Sequence, residues 1–412
     1  MMQWIYRSIS ALLLATMGCS SAVQHGAPPL PSPSPLAGKS WKTPDEVLAP
    51  SGSTPVWKKR LSGYPTDIAL DASGNELAVA TVPSLDRVGG FKKNQLFWFG
   101  PQGQTRWHKV MKNPTRALSI ASDGSLMVLS NYNDEIRGYD VRGKKLWTAS
   151  GTCEPYALSG PRMILCYHDD DAQPGIAFDA YSWSGKKLFS RPASADIVAF
   201  KISADEKRVA IGLVGGKAIL YGGKDFHEIA RASVPGEIAD VAPASVGSGD
   251  RSGMVVLYHT PTPSSGYMAW VRPNGSILNA VELRVPADQV AIAPDASTAY
   301  VCGNAEEGQY LLGLVPGVST PSWLRSAPQG AHYDQRMIAL SGKNGVVTSF
   351  FDGSAFVSHI TAYRPEGKLA WAIPIEHPAN ESSYLYQVAV GEPGKAIATA
   401  IDDGEIAVYR IP

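Results

Sequence analysis

The chain has 412 residues, and its 37 Lys and Arg balance 37 Asp and Glu, so the formal net charge is zero. The absence of a long basic run excludes the electrostatic footprint of a nucleic-acid-binding protein. A content of 40 Gly and 31 Pro, with 10 Trp and 17 Tyr, is typical of a protein with many strands and turns.

The first 18 residues are typical of an export signal. Arg7 precedes an apolar stretch, 9–17, that is too short to span a bilayer, and Cys19 follows it. Small residues before a cysteine at this point resemble the lipobox of bacterial lipoproteins, although Thr16 stands where that family usually has Leu. The resemblance implies removal of the signal peptide 1–18 and acylation of Cys19. An ordinary secretory signal cleaved nearby is the alternative, and it also exports the protein.

The residue after the cysteine is Ser20, which resembles the outer-membrane sorting pattern of Gram-negative lipoproteins. The resemblance implies a lipid anchor in the outer membrane, with the protein on the periplasmic or the surface side. Residues 19–54 are rich in Pro and Ser, most densely at 28–35, and such a stretch cannot bury a core. We therefore expect an extended tether at 19–54 and a globular domain at 55–412.

A strand-like unit recurs about eight times between Tyr64 and Pro412, with a period of roughly 40–50 residues. Each unit contains two apolar runs around a small polar turn, as at 68–70 and 77–80 around 71–74, and such runs predict strands buried on both faces. The repeat predicts an all-β propeller, most simply of eight four-stranded blades. Seven blades is the alternative, because the fourth and fifth units are irregular. The first turns of the units fall near Ser73, Asp123, Gly160, Asp205, Ser248, Asp295, Lys343 and Pro393.

A second signature marks the outer half of several units, where a glycine precedes an aromatic residue by four positions. The glycine suits a turn between the third and fourth strands, and the ring is expected to dock between adjacent blades. These corners resemble the tryptophan-docking motif of pyrroloquinoline-quinone-like propellers, although at 140–143 the Thr of that family is missing and its Asp is shifted. The resemblance implies fold alone; the units are also WD-like in organisation. The corners are Gly103 with Trp107, Gly143 with Trp147 and Gly367 with Trp371, and the variants are Gly185 with Phe189 and Gly222 with Phe226.

The two ends of the domain predict how the ring closes. Residues 405–412 form a third strand with no fourth strand after it, and residues 56–61 form an unpaired strand before the first unit. We expect these two strands to pair, because the pairing removes two exposed sheet edges.

In a propeller, the loops between second and third strands share one face with the connections between blades. These loops are uneven in length here, and long loops usually carry binding. The candidate binding residues on them are Asp86, Arg87, Phe91, His168, His259, Tyr267, Glu306, Glu307 and Phe356.

Carboxylates and cysteines give two further expectations. Asp169, Asp170 and Asp171 could bind calcium through oxygen ligands, but the spacing of a calcium loop is absent and a solvated acidic loop is the favoured interpretation. Cys153 and Cys166 lie diagonally across one predicted hairpin, so an exported protein could join them in a disulfide, with free thiols as the equal alternative. The third cysteine of the domain, Cys302, lies in an apolar strand and is expected to be a buried thiol.

No catalytic constellation is present: the sequence has no Gly-x-Ser-x-Gly elbow, no phosphate-binding loop and no metal-ligand spacing of histidines. We therefore expect a non-catalytic, monomeric envelope lipoprotein that needs no cofactor, contacts the membrane through its lipid and binds a protein partner. In design it resembles the propeller lipoproteins of the outer-membrane β-barrel assembly machinery. The alternatives are a quinone-dependent dehydrogenase, although the adjacent cysteine pair of that family is missing, a calcium-dependent hydrolase, and a carbohydrate or cell-wall binding module.

Overall fold

The computed structural model describes residues 54–83, 94–151, 153–168, 175–247, 252–260, 266–283, 285–305, 308–326, 331–339, 345–352, 357–376, 385–391, 396–401 and 404–410. Within these ranges the protein consists of 32 β-strands arranged in eight four-stranded antiparallel sheets. In the same ranges, no helix has the length and apolar character needed to cross a membrane.

The first four blades follow one another along the chain. Blade 1 contains β2 (Tyr64–Leu70), β3 (Leu77–Val82), β4 (Asn94–Phe99) and β5 (Thr105–Met111). Blade 2 contains β6 (Thr115–Ile120), β7 (Leu126–Asn131), β8 (Glu135–Asp140) and β9 (Lys145–Ser150). Blade 3 contains β10 (Glu154–Leu158), β11 (Met163–Tyr167), β12 (Ile176–Ser182) and β13 (Lys187–Pro192). Blade 4 contains β14 (Ile197–Ile202), β15 (Arg208–Leu213), β16 (Lys217–Gly222) and β17 (His227–Ser233).

The last four blades include the closure. Blade 5 contains β18 (Glu237–Pro243), β19 (Met254–His259), β20 (Gly266–Val271) and β21 (Ile277–Glu282). Blade 6 contains β22 (Gln289–Ile292), β23 (Ala299–Ala305), β24 (Gly308–Leu314) and β25 (Trp323–Ser326). Blade 7 contains β26 (Ala331–Ala339), β27 (Val346–Asp352), β28 (Val357–Tyr363) and β29 (Leu369–Glu376). Blade 8 contains β30 (Leu385–Gly391), β31 (Ala396–Ile401), β32 (Glu405–Arg410) and β1 (Trp57–Arg60).

The ring closes through the first and last strands of the chain. β1 pairs with β32 in antiparallel register, with Trp57 opposite Val408 and Arg60 opposite Glu405. The predicted eight-bladed all-β propeller and its closure are therefore confirmed, and the seven-blade alternative is wrong. This pairing covers the edge of β32, and β1 takes the outermost position in blade 8.

The core lies between neighbouring blades rather than at the centre of the ring. The second strands of the blades are mostly apolar and buried; β3, β7 and β31, for example, are buried along their whole length. Each apolar cluster therefore joins two blades: one contains Trp270 and Val281 of blade 5 with Val301 and Leu312 of blade 6. Continuous apolar runs, rather than alternating ones, are what a strand with a neighbour on each face requires.

The predicted aromatic corners form the outer contacts between blades. The ring of Trp107 in β5 packs on Gly143, in the turn before β9, where φ is +76°. A Cβ at Gly143 would lie 2.8 Å from that ring, so only glycine satisfies both the turn and the close approach. In the same way, the Trp147 ring packs on Gly185, and the Trp147 Nε1 donates a hydrogen bond to the Trp183 carbonyl at 2.8 Å.

Blades 4 and 5 depart from this pattern, and one prediction is wrong here. Phe226 does not dock from an outer strand: it lies in the turn before β17 with φ of 48° and is fully buried. At the cross-strand position that Trp107 and Trp147 occupy in their blades, β17 carries Ala230 and β21 carries Asn279. The irregular fourth and fifth units are thus complete blades that lack the aromatic corner.

Candidate functional site: the loop face and the groove between blades 3 and 4

Because strand direction alternates, the loops between second and third strands share one side of the ring with the connections between blades; we name this side the loop face. Of the predicted binding, metal and lipidation residues, His168, His259 and Tyr267 are described. The others lie outside the described residues: Cys19, Asp86, Arg87, Phe91, Asp169, Asp170, Asp171, Glu306, Glu307 and Phe356. In the part of the chain that the structure describes, no group of three His, Cys, Asp or Glu side chains is placed to hold a metal ion.

His168 is a buried residue of blade 3 rather than an exposed loop side chain. Its Nε2 lies 3.3 Å from the carboxylate of Asp179, and each side chain is 1 % exposed. Asp179 also accepts a hydrogen bond from the Ser190 hydroxyl at 2.6 Å and pairs with the Lys187 ammonium at 2.9 Å. Although burial raises the pKa of Asp179, the hydrogen bonds from His168, Ser190 and Lys187 outweigh it and hold this pKa well below its ordinary value.

The disulfide partner residues lie beside this cluster. Cys153 and Cys166 are joined by a disulfide with a Cα–Cα distance of 5.2 Å, and both are fully buried. Cys166 is directly opposite Asp179 in the sheet, so the disulfide and the buried carboxylate share the face of blade 3 that packs on blade 2. Among the described cysteines, Cys302 is a free, buried thiol, and burial raises its pKa to about 12.

The other two described candidates lie together in blade 5. Tyr267 in β20 stacks on Tyr258 in β19, with ring centroids 5.4 Å apart, and His259 ends β19 next to the loop face. His259 and Tyr267 are both partly exposed. They can contribute contacts to a ligand on the loop face, without an arrangement that favours proton transfer.

Polar side chains of the innermost strands link successive blades around the axis. Asp67 in β2 accepts hydrogen bonds from the amides of Ile68, 2.9 Å away, and of Leu118 in the next blade, 2.8 Å away. Asp240 in β18 repeats the arrangement with the amide of Val290 in blade 6, at 2.8 Å. Because inner strands have no fifth strand beside them, these carboxylates satisfy amides that face the axis.

A groove of about 440 Å³ opens on the outer side of the ring between blades 3 and 4. Pro192, Ala193, Ile219 and Tyr221 form its apolar lining, and exposed charged groups stand around them. The lining residues are Arg191, Pro192, Ala193, Ser194, Ile219, Tyr221, Asp225, His227, Glu228 and Arg231.

Arg191 holds the two walls of the groove together. Its Nε donates a hydrogen bond to the Phe226 carbonyl at 2.8 Å, its guanidinium also donates to the Asp225 carbonyl, and it stacks over the Phe189 ring at 4.2 Å. The side chain therefore crosses from the end of β13 to the turn before β17. This contact joins the two walls of the groove without the help of a bound partner.

The remaining charges of the groove form two exposed pairs. The Nδ1 of His227 lies 2.9 Å from the Asp225 carboxylate, and Arg231 donates two hydrogen bonds to Glu228, at 3.0 and 2.8 Å. The hydrogen bond from His227 lowers the pKa of Asp225, and those from Arg231 lower the pKa of Glu228. An apolar floor with paired charges of both signs at its rim suits a polypeptide segment better than a small anion or cation.

The sequence patterns do not predict this groove. Two features of the sequence mark its walls: Arg191 and Pro192 at the end of β13, and the adjacent glycines Gly222 and Gly223 before Phe226. In the sequence alone, these glycines suggest only an irregular corner. The walls come from two blades, and nothing in a single unit marks the space between them.

Comparison with known proteins gives the fold class. No protein-family model matches the chain, and no curated protein matches it. Among solved structures, it is similar to Sqt1 from Chaetomium thermophilum bound to the N-terminus of the ribosomal protein L10, with a TM-score of 0.61, 13% identity and coverage of 85% of this chain and 97% of that one. BamB from Moraxella catarrhalis gives a TM-score of 0.57 at 14% identity, covering 87% of this chain and 100% of that chain.

The C-terminal WD40 domain of Sif2 is a further similar structure, with a TM-score of 0.59, 13% identity and coverage of 87% and 98% of the two chains. At these identities the similarity establishes a WD40-like eight-bladed propeller fold and nothing about activity.

Proposed function

We propose that this protein is a lipid-anchored, non-catalytic scaffold of the bacterial cell envelope, and that it binds a protein partner through the groove between blades 3 and 4 and the adjoining loop face. The observation that carries the proposal is the groove itself: an apolar floor between two blades, rimmed by paired charges of both signs. Protein interfaces combine an apolar centre with a polar rim in this way.

The fold neighbours support a binding role. Sqt1 is a propeller crystallised with the N-terminus of another protein, and BamB shares the fold at full coverage of its own chain. The sequence identity to both proteins is too low for individual residues to be compared. The binding residues proposed for this chain are therefore taken from its own groove.

The cysteines support an exported location. A fully buried disulfide between Cys153 and Cys166 is typical of proteins that fold in an oxidising compartment, because thiols in the cytosol are kept reduced. Together with the lipobox-like segment that ends at Cys19, it favours a protein that is exported and then held at the outer membrane by its acyl chains.

The test is capture of the partner from native envelopes with tagged full-length lipoprotein after crosslinking. In the groove variant, Glu228→Arg is combined with Arg231→Glu, which keeps the ion pair and reverses the charge at each rim position. The matched control exchanges the charges of another ion pair, Lys58 with Glu405, whose atoms lie 2.7 Å apart in blade 8.

We expect one protein in stoichiometric yield with the wild type and the control, and at least a tenfold lower yield with the groove variant. If the groove variant captures as much partner as the wild type, the partner binds outside the groove. Absence of any protein partner, with calcium or a quinone copurifying instead, would overturn the scaffold proposal in favour of an enzyme.

A further inference from the structure

The charges of the outermost strands are unevenly distributed around the ring. The outer strands of blades 8, 1, 2 and 3, which are β1, β5, β9 and β13, contain eight Lys and Arg and no Asp or Glu. The outer strands of blades 4 to 7 contain two Arg and three Glu. A chain of zero net charge thus carries a positive surface along half of its circumference. We name the exposed surface of β1, β5, β9 and β13, with the turns 101–104, 141–144 and 183–186, the basic belt.

Contacts between successive outer strands make this belt continuous. The Lys59 ammonium in β1 donates to the Thr105 hydroxyl in β5 at 3.0 Å. Lys109 in β5 lies 5.0 Å from the ring of Tyr139 in blade 2. The Trp147 ring in β9 packs on Gly185 in the turn before β13. The charges therefore belong to one surface rather than to four separate ones.

Some cations of the basic belt form ion pairs with carboxylates, and others do not. Lys58, Arg106 and Lys187 are paired with carboxylates of inner strands or turns. Four exposed cations form no ion pair with another described residue. They lie in the turns before β9 and β13 and at the start of β9, and they are Arg142, Lys144, Lys145 and Lys186.

Aliphatic side chains project between these cations. Val110 is 63% exposed, Leu146 45% and Leu188 47%, one on each of β5, β9 and β13, and Val56, which precedes β1, is 45% exposed. Exposed aliphatic residues on three neighbouring outer strands and just before a fourth, among lysines that form no ion pair with another described residue, are the composition of surfaces that rest on anionic membranes.

The position of the tether agrees with such a contact. The chain enters the propeller at β1, which is itself part of the belt. Lys58 and Lys59 are the cations of the belt that lie nearest in sequence to Cys19. One lipid signal combined with a basic surface holds a protein on a membrane more firmly than either alone.

We propose that the basic belt binds an anionic lipid surface, so that the propeller lies with this part of its circumference against the membrane and keeps its loop face in solvent. The proposal builds on the lipid-anchored scaffold above, and charge complementarity favours phospholipid head groups over a neutral surface. An acidic protein is the other anionic surface that could cover the belt, and the test below separates the two.

The test uses protein that begins at Ser20 and carries no acyl group; the ring is complete from Trp57 onward. Sedimentation is measured with phosphatidylcholine vesicles, with and without phosphatidylglycerol. We expect binding only to the vesicles that contain phosphatidylglycerol, and progressive release as salt rises from about 0.05 to about 0.5 M, because the Debye length shrinks.

Two variants with equal charge change locate the contact. Lys144→Glu, Lys145→Glu and Lys186→Glu together reverse three charges in the belt, whereas Lys207→Glu, Lys217→Glu and Lys224→Glu reverse three exposed charges in blade 4. Each lysine near an anionic surface changes affinity by roughly fivefold, so we expect at least a 100-fold loss in the belt variant. The blade 4 variant should lose less than about fivefold.

A third variant tests the aliphatic residues without changing any charge. Leu146→Ser with Leu188→Ser should lower vesicle affinity by roughly tenfold, because two partly exposed side chains no longer enter the head-group layer. Circular dichroism and the unfolding midpoint of each variant establish that the ring is intact.

Equal binding to both vesicle types, or equal losses in the two lysine variants, would overturn the proposal and leave an acidic protein as the chemistry that fits the belt. Because the protein used carries no lipid, failure of this test leaves the anchored scaffold standing. Conversely, if Cys19 proves not to be acylated in cells, the proposed anchor fails but the vesicle result still stands.

Discussion

Replacing Asp179 by Asn removes the charge on which the buried cluster of blade 3 depends. The carboxylate is 1% exposed and contacts the His168 ring at 3.3 Å, the Ser190 hydroxyl at 2.6 Å and the Lys187 ammonium at 2.9 Å. Removing one partner of a buried ion pair costs about 3–5 kcal/mol. Because Lys187 is 47% exposed and regains hydration, we expect the lower end, about 3 kcal/mol.

The magnitude can be converted into a melting temperature. At about 2.1 cal/mol/K per residue, a ring of roughly 350 residues has an unfolding entropy of about 0.7 kcal/mol/K. A loss of about 3 kcal/mol then lowers the midpoint by roughly 4 °C. Calorimetry and urea titration followed by tryptophan fluorescence both measure it, and the ten tryptophans of the chain give ample signal.

The pH dependence has a definite sign. The pKa of Asp179 is lowered in the folded protein, so its stabilising contribution is fully present above the unfolded value, about 4, and is lost as pH falls towards the folded value. The gap between the wild type and Asp179→Asn should therefore be constant from pH 5 to pH 7 and shrink below about pH 4.

Asp225→Asn is the matched control. This carboxylate also has a histidine and an arginine partner, but its side chain is 63% exposed, and we expect no measurable shift in its midpoint. Equal shifts in the two variants, or a gap that widens at low pH, would refute the assignment of Asp179 as a buried, ionised centre of blade 3.

Three further predictions concern the frame of the ring. Cys153→Ala with Cys166→Ala should cost about 3 kcal/mol, and dithiothreitol should reduce the bond, so that both sulfurs react with a thiol reagent, only when the wild type is unfolded, since both cysteines are fully buried in the native state. Gly143→Ala, at φ +76° and against the Trp107 ring, should lower the midpoint measured in urea, whereas Gly215→Ala, at φ +84° with no atom within 4 Å, should cost only about 1 kcal/mol. Removal of β1 exposes the edge of β32, so size-exclusion chromatography should detect oligomers, and a monomer of native stability would contradict the closure.

Much of the architecture follows from local sequence patterns. Glycine four residues before tryptophan fixes both a turn and a docking ring, as with Gly143 and Trp147, and a two-faced apolar strand needs a neighbour on each side. Closure by β1 could be predicted because an incomplete last unit and an unpaired first strand are complementary. Each of these inferences needs only one unit or the two chain ends.

Features built from several blades could not be predicted in the same way. The groove wall formed by Arg191 and the Phe226 carbonyl joins residues 35 apart in different blades, and the Gly222 corner suggested a docking ring where the structure has a buried turn. The basic belt is invisible along the chain, because Lys59, Lys109, Lys145 and Lys187 are distributed over four units and meet only when the outer strands are arranged around the ring. His168 was expected on a loop surface, and its pairing with Asp179 depends on a partner 11 residues further along.

The most direct test of the scaffold proposal is site-specific photo-crosslinking in living cells, with a photoreactive amino acid in place of one surface serine at a time. Ser194 lies at the rim of the groove and is exposed, and Ser297, equally exposed in the first turn of blade 6 on the opposite side from the loop face, is the control position. A partner bound at the groove should give one discrete protein adduct from Ser194 and none from Ser297. Absence of an adduct at Ser194, or the same adduct from both positions, would contradict the proposal.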